Sequence, residues 1–144
     1  MAFKNPEREE IKEILESART IAVVGLSDKT DRTSYMVAQA MQKRGYRIIP
    51  VNPAVKDDIL GEKTYASLKD IPEPIDIVDV FRRSEFTPDI AKEAVEAGAR
   101  TLWLQQGIVN EQAAEIAAQA GLKVVMDRCI KVEDAITQPR RDAL

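Results

Sequence analysis

The chain contains no histidine. Without imidazole it can run no Ser-His-Asp triad, no histidine base and no phosphohistidine intermediate of its own. Its one cysteine, Cys129, excludes an internal disulfide and a cysteine-rich metal site. No apolar run is long enough to span a bilayer, and the stretch from Met1 to Glu7 lacks the apolar core of a secretory signal, so a cytoplasmic protein with no membrane partner is expected. Charge of neither sign is in excess: 21 Lys and Arg stand against 24 Asp and Glu, a net charge of -3. That balance points away from nucleic acid, and any anion site must be local. At 144 residues the chain is expected to form one domain over residues 1–144, with a core that needs no disulfide or metal.

What is present is a repeated alternation of helix and strand. Asn5-Pro6 reads as a helix start, Asn as N-cap and Pro in the first turn, and Ile11, Ile14, Leu15 and Ala18 recur at i, i+3, i+4 and i+7. This predicts an additional N-terminal amphipathic helix over about residues 6–18. Three later helices end at Gly45, Gly98 and Gly121, each running into an apolar, β-branched run. Ser34 or a neighbour, Thr87-Pro88 and Asn110 supply their N-terminal signals. With Ile21 to Leu26 and Ile75 to Val80, this makes five strands alternating with helices. Strands joined through helices are parallel. The expected fold is therefore α/β, a Rossmann-like doubly wound five-stranded parallel sheet in the order 3-2-1-4-5, with the ligand at the strand carboxyl ends between strands one and four. The connection from Asp57 to Pro74 reads as a loop with one turn of helix near Ala66 to Lys69. The tail from Lys131 to Leu144 is polar and gives no regular pattern, as a partly disordered end would.

The strand-end loops carry the candidate site. After the first strand, Gly25 matches the opening of a dinucleotide fingerprint, but Ser27 and Thr30 stand where its other glycines belong. In their place Ser27, Lys29, Thr30, Arg32, Thr33 and Ser34 offer hydroxyl and cationic donors beside a helix N-terminus, a combination that suits a phosphate or diphosphate. A tight turn without a ligand is the alternative. After the second strand, Asn52-Pro53 with Lys56 replaces the acid that would accept the ribose hydroxyls of NAD, which favours a phosphorylated ribose as in NADP or coenzyme A. A plain strand-terminating turn explains Asn52-Pro53 equally well. Arg82 and Arg83 follow the third strand, and one of them is expected to be solvated surface. Gln105-Gln106-Gly107 follows the fourth, where an amide and a glycine suit a polar ligand chain or merely a loop. Trp103 reads as core, and Cys129 as a packed thiol, with a mixed disulfide to a thiol-bearing ligand as its other reading.

Val23-Val24-Gly25-Leu26-Ser27 with Arg32 and Ser34, Gly45-Tyr46 with Pro50-Val51-Asn52-Pro53, and Gly61 with Ser67-Leu68 form one half of a recognisable set of motifs. Asp76 to Arg82, Trp103 to Gly107 and Val125 to Cys129 complete it. Together they resemble the small stand-alone CoA-binding domain family, related to the CoA-binding domain of succinyl-CoA synthetase α subunits. The resemblance implies bound coenzyme A with its diphosphate at Gly25, Leu26, Ser27, Lys29, Arg32 and Ser34, and its adenosine side near Asn52, Pro53 and Lys56. It further implies Val80, Phe81 and Arg82 along the nucleotide and Gln106 and Gly107 facing the pantetheine arm. The synthetase histidine and its domain are absent, so the expectation is binding of CoA or an acyl-CoA without ligase chemistry, no catalytic residue and no metal ligand. Alternatives are an NADP-binding oxidoreductase or sensor and an interaction module with a vacant pocket. The expected partner is the small molecule, with a homodimer or a protein partner left open.

Overall fold

The computed structural model describes residues 3–141; the last three residues of the tail lie outside that range. The elements run α1 (Arg8–Ser17), β1 (Thr20–Val24), α2 (Thr33–Lys43), β2 (Arg47–Val51), β3 (Ile77–Val80), α3 (Thr87–Glu96), β4 (Thr101–Leu104), α4 (Glu111–Gln119), β5 (Lys123–Val125) and α5 (Ile130–Thr137). All neighbouring strands are parallel, as the helical crossovers require. No helix among the described residues is long and apolar enough to cross a membrane.

The expected doubly wound α/β class holds, but the strand order does not. The sheet is ordered β2-β1-β3-β4-β5 rather than 3-2-1-4-5. In the expected order the third strand lies outside β2. Here the outer edge of β2 is taken by the following connection, where the Tyr65 amide donates to Pro50 O at 3.0 Å and the Asn52 amide to Tyr65 O at 2.9 Å. The third strand, buried at every position from Ile77 to Val80, takes a central slot between β1 and β4. The order reverses between β1 and β3, which moves the switch point there and keeps it beside Gly25.

Alternation along the strands builds two apolar layers. Ala22, Val78, Leu102 and Val124 face α3 and α4, meeting Ile90, Ala91, Ala94, Ala113 and Ala117. Ile21, Val23, Ile77, Trp103 and Val125 face α1, α2 and α5, meeting Ile11, Leu15, Val37, Met41 and Ile130. Each fully buried large side chain contributes about 1.5–3 kcal/mol. As expected, Trp103 is core; its indole Nε1 donates to Arg128 O at 2.8 Å. Asn110 caps α4 by accepting from the Ala113 amide at 2.9 Å, and the predicted helical turn appears as a 3-10 turn at Leu68–Asp70.

Two terminal readings need correction. Asn5 does not cap α1, whose N-cap is Glu7 without a side-chain bond. Instead Asn5 Nδ2 donates to Met126 O at 2.7 Å and Asn5 Oδ1 accepts from the Met126 amide at 2.9 Å, so one side chain pairs with the end of β5 as a neighbouring strand would. The polar tail forms helix α5, which packs on α1 and α2. Its buried stripe is Ile130, Glu133 and Asp134, and the two acids hide its amphipathic period. Glu133 is held by Arg8, with Nε 3.1 Å from Oε1, and Asp134 by Arg44 Nε at 2.7 Å and by the Tyr46 hydroxyl at 2.8 Å.

Candidate functional site

At the switch point the ends of β1, β2 and β3 enclose a cleft of about 450 Å³. Val24, Gly25, Val51 and Pro53 form its floor, Ser67 to Lys69 of the connection one wall, and Arg82 with Ile90 and Glu93 of α3 another. Gly25 has φ +87 and donates its amide to Val51 O at 2.8 Å. Its α-carbon lies so near β3 that a side chain would collide with Phe81, so glycine is required there on both conformational and steric grounds.

The loop from Gly25 to Ser34 is fixed by its own hydroxyls. The buried Ser34 Oγ accepts from the Ser27 amide at 3.0 Å, and Ser27 Oγ accepts from the Lys29 amide at 3.0 Å. Arg32 stands at the N-cap of α2 with no side-chain cap bond, and Lys29, Thr30, Arg32 and Thr33 are exposed. Lys29 and Arg32, interleaved with the exposed Asp28 and Asp31, thus flank an uncapped helix N-terminus, whose dipole favours an anion. Asn52 braces this loop from β2: its Nδ2 donates to Leu26 O at 3.0 Å while its Oδ1 accepts from the Ala54 amide at 2.9 Å. Both ends of that amide are engaged, so Asn52 shapes the turn, and Leu26 is fully buried beneath it.

Of the predicted site residues, Gly25, Pro53 and Arg82 line the cleft together. Val80 is buried behind it, Phe81 is half-buried at the end of β3, and Arg82 is steadied by the Phe86 ring 5.0 Å from its guanidinium. Lys56 is exposed and does not line the cleft, whereas Lys69 does. Ser67, expected only as part of the family motif, and Lys69 and Glu93, expected at no site, also line the cleft. Ser67 Oγ donates to Glu93 Oε1 at 3.3 Å, across the gap between the connection and α3.

Gln106 and Gly107 lie further along the edge, exposed after β4. The Gly107 amide donates to Asp127 Oδ1 at 2.8 Å, and Asp127 itself adopts φ +60. Gln105, buried, accepts from the Ile130 amide at 3.1 Å and so supports α5. Cys129 is half-buried at the α5 N-cap and packs against the α1, α2 and α5 layer, in keeping with a packed thiol. Asp79, in β3 opposite Val23 and Trp103, is 1% exposed, and its Oδ1 has no hydrogen-bond partner among the described residues. Desolvation pushes its carboxyl well above the usual carboxylate range, toward the neutral acid. Among the described residues no three carboxylate or thiol groups gather as a metal site would need.

Val24, Val51, Leu68 and Ile90 share the lining with Lys69, Arg82, Glu93 and Glu96, a mixture that suits a flat base with polar edges, and the adjoining uncapped helix end suits its phosphates. Residues 19–135 match the family model described as CoA binding domain. The Bacillus subtilis protein YneT, itself called uncharacterised, is 56% identical over 136 residues, covering 94% of this chain and all (100%) of that protein. A Thermus thermophilus structure titled cell-free ID.343 superposes with a TM-score of 0.88 at 35% identity, covering 92% of this chain and 99% of that one. More distantly, the α subunit of the ADP-forming acetate–CoA ligase II of Pyrococcus furiosus is 25% identical over 125 residues, covering 79% of this chain and 27% of the subunit. With the family match running from ahead of β1 to within α5, the chain belongs to the CoA binding domain family.

Proposed function

We propose that the protein binds coenzyme A, or an acyl-CoA, along the carboxyl edge of its sheet and acts as a cytoplasmic carrier, sensor or regulatory partner without ligase chemistry of its own. The observation that carries this reading is the junction of a cleft of mixed apolar and charged lining with the exposed donors of the β1–α2 loop at the switch point. The base enters the cleft between Pro53, Leu68 and Ile90. Its diphosphate lies beside the Gly25 to Ser27 turn and is held by Lys29, Arg32 and the first turn of α2. Arg82 and Lys69 lie close enough to the cleft to take the ribose phosphate, with Lys56 as a more distant cation. The pantetheine arm then follows the edge past Phe81 toward Gln106 and Gly107.

Calorimetric titration of the purified chain with CoA and with NADP tests this. Saturable binding of CoA in preference to NADP is the expected result. Binding of NADP alone would reassign the site to a nicotinamide cofactor, and no heat with either would leave the cleft to a non-nucleotide role.

A further inference from the structure

A second concavity, of about 380 Å³, opens at the other end of the same sheet edge, between the N-terminal segment and the loop after β5. Its walls carry Lys4, Arg8 and Arg128 against Glu7 and Glu133, a surplus of one positive charge. Arg8 is committed to Glu133, with Nε and Nη2 at 3.1 and 3.2 Å from its two carboxylate oxygens. Among the described residues Lys4 and Arg128 have no carboxylate within ion-pairing distance. Arg128 is nevertheless held in place, its Nη1 donating to Asp127 O at 2.9 Å. The first turn of α1, without a side-chain cap, adjoins the same hollow and brings its amides there, with Glu9 and Glu10 in the same turn offsetting part of their positive charge.

On the CoA reading above, the ligand's far end runs toward this hollow. From the end of β1 the edge runs past β3 and β4 to β5, three inter-strand steps or about 14 Å at the usual strand spacing. A pantetheine arm has the length of about five residues of extended chain, roughly 17 Å. The Gly107–Asp127 hydrogen bond joins the loop after β4 to the loop that carries Arg128, so the proposed end of the arm and the hollow belong to neighbouring loops.

We propose that this hollow receives a carboxylate borne on the acyl group of a CoA thioester, so that the preferred ligand class is the half-thioester of a dicarboxylic acid. The inference rests on the CoA reading above. One carboxylate matches the single surplus charge, whereas a dianionic phosphate would leave an uncompensated negative charge beside Glu7 and Glu133.

The test is a set of titrations with CoA, butyryl-CoA, succinyl-CoA, glutaryl-CoA and free glutarate. Carboxylated thioesters are expected to bind about tenfold more tightly than butyryl-CoA, by an amount that shrinks as salt is raised. In Lys4→Ala and Arg128→Ala the ratio of the two affinities falls toward one, a readout insensitive to any general loss of binding. Equal affinity for carboxylated and neutral thioesters in a protein that binds CoA overturns this inference alone. A preference that survives both substitutions also overturns it, as does free glutarate binding as tightly as glutaryl-CoA. Silence toward every thioester and CoA itself overturns the CoA reading and this inference together.

Discussion

A Cβ atom on Gly25 would stand 2.6 Å from the carbonyl oxygen of Phe81 and 3.0 Å from Arg82 Cδ. Gly107 has nearly the same backbone, φ +86 against φ +87, with nothing within 4 Å of a built Cβ. Replacing Gly107 with Ala thus carries only the left-handed backbone penalty, about 1–2 kcal/mol. Gly25→Ala adds the displacement of β3 from β1 and is expected to lose about 2–4 kcal/mol in urea unfolding. Equal losses for the two variants would show that the β1–β3 approach is not tight.

Asp79 gives a pH signature. Its folded-state pKa is raised by burial, so the native protein holds a proton that the unfolded chain releases above the ordinary carboxylate range. Its contribution is complete at low pH and is lost as pH rises from the ordinary value, 3.8, through the folded one. Asp79→Asn removes that loss. The stability of the variant relative to the parent is expected to rise as pH climbs above the ordinary carboxylate value, 3.8; a difference that stays constant with pH would refute the assignment.

The Tyr46 hydroxyl, Asp134 and Arg44 form one connected unit under α5. Tyr46→Phe leaves Asp134 Oδ1 without its 2.8 Å donor in a residue 3% exposed, which is expected to lower stability by about 1–3 kcal/mol. Asp134→Asn in that background should add less than it does alone, because the hydrogen bond between the Tyr46 hydroxyl and Asp134 is already lost. A double-mutant cycle by chemical denaturation reads the coupling, and strict additivity would argue against it.

For the ligand edge, Arg82→Ala removes the guanidinium from the cleft wall and Arg32→Ala removes one from the exposed loop. Both are expected to weaken CoA and to flatten the dependence of affinity on salt. Arg82, half-buried, should lose about tenfold or more, and Arg32 less because water screens it. An unchanged affinity and salt slope would remove that residue from the site.

The strands and most helices were legible because glycine ends and alternating burial leave a mark in the residues themselves. Their order was not, since it turns on the free edge of β2, and that edge is closed by the backbone of Tyr65, which no side-chain pattern reports. Helix α5 escaped because Glu133 and Asp134 occupy buried positions through partners more than 80 residues away in sequence, |i−j| of 125 for Arg8 and 90 for Arg44. The β1–α2 loop was readable as a cluster of donors, yet its hydroxyls partly serve the loop itself, with Ser34 tying Ser27. Lys69 was missed for a related reason: it belongs to an irregular connection, and only the folding of that connection over β2 brings it to the cleft.

The pairing of Asn5 with Met126 reaches beyond the stability of one helix. By satisfying both backbone groups of Met126, that side chain closes the end of β5 against the strand of another molecule. The residues on either side of it, Lys4 and Pro6, belong to the walls of the basic hollow. Peeling the segment away would therefore uncover a sticky sheet margin and dismantle the hollow in one movement. The rate at which the Met126 amide exchanges its hydrogen thus serves as a clock for that opening, one that an occupant of the hollow would slow.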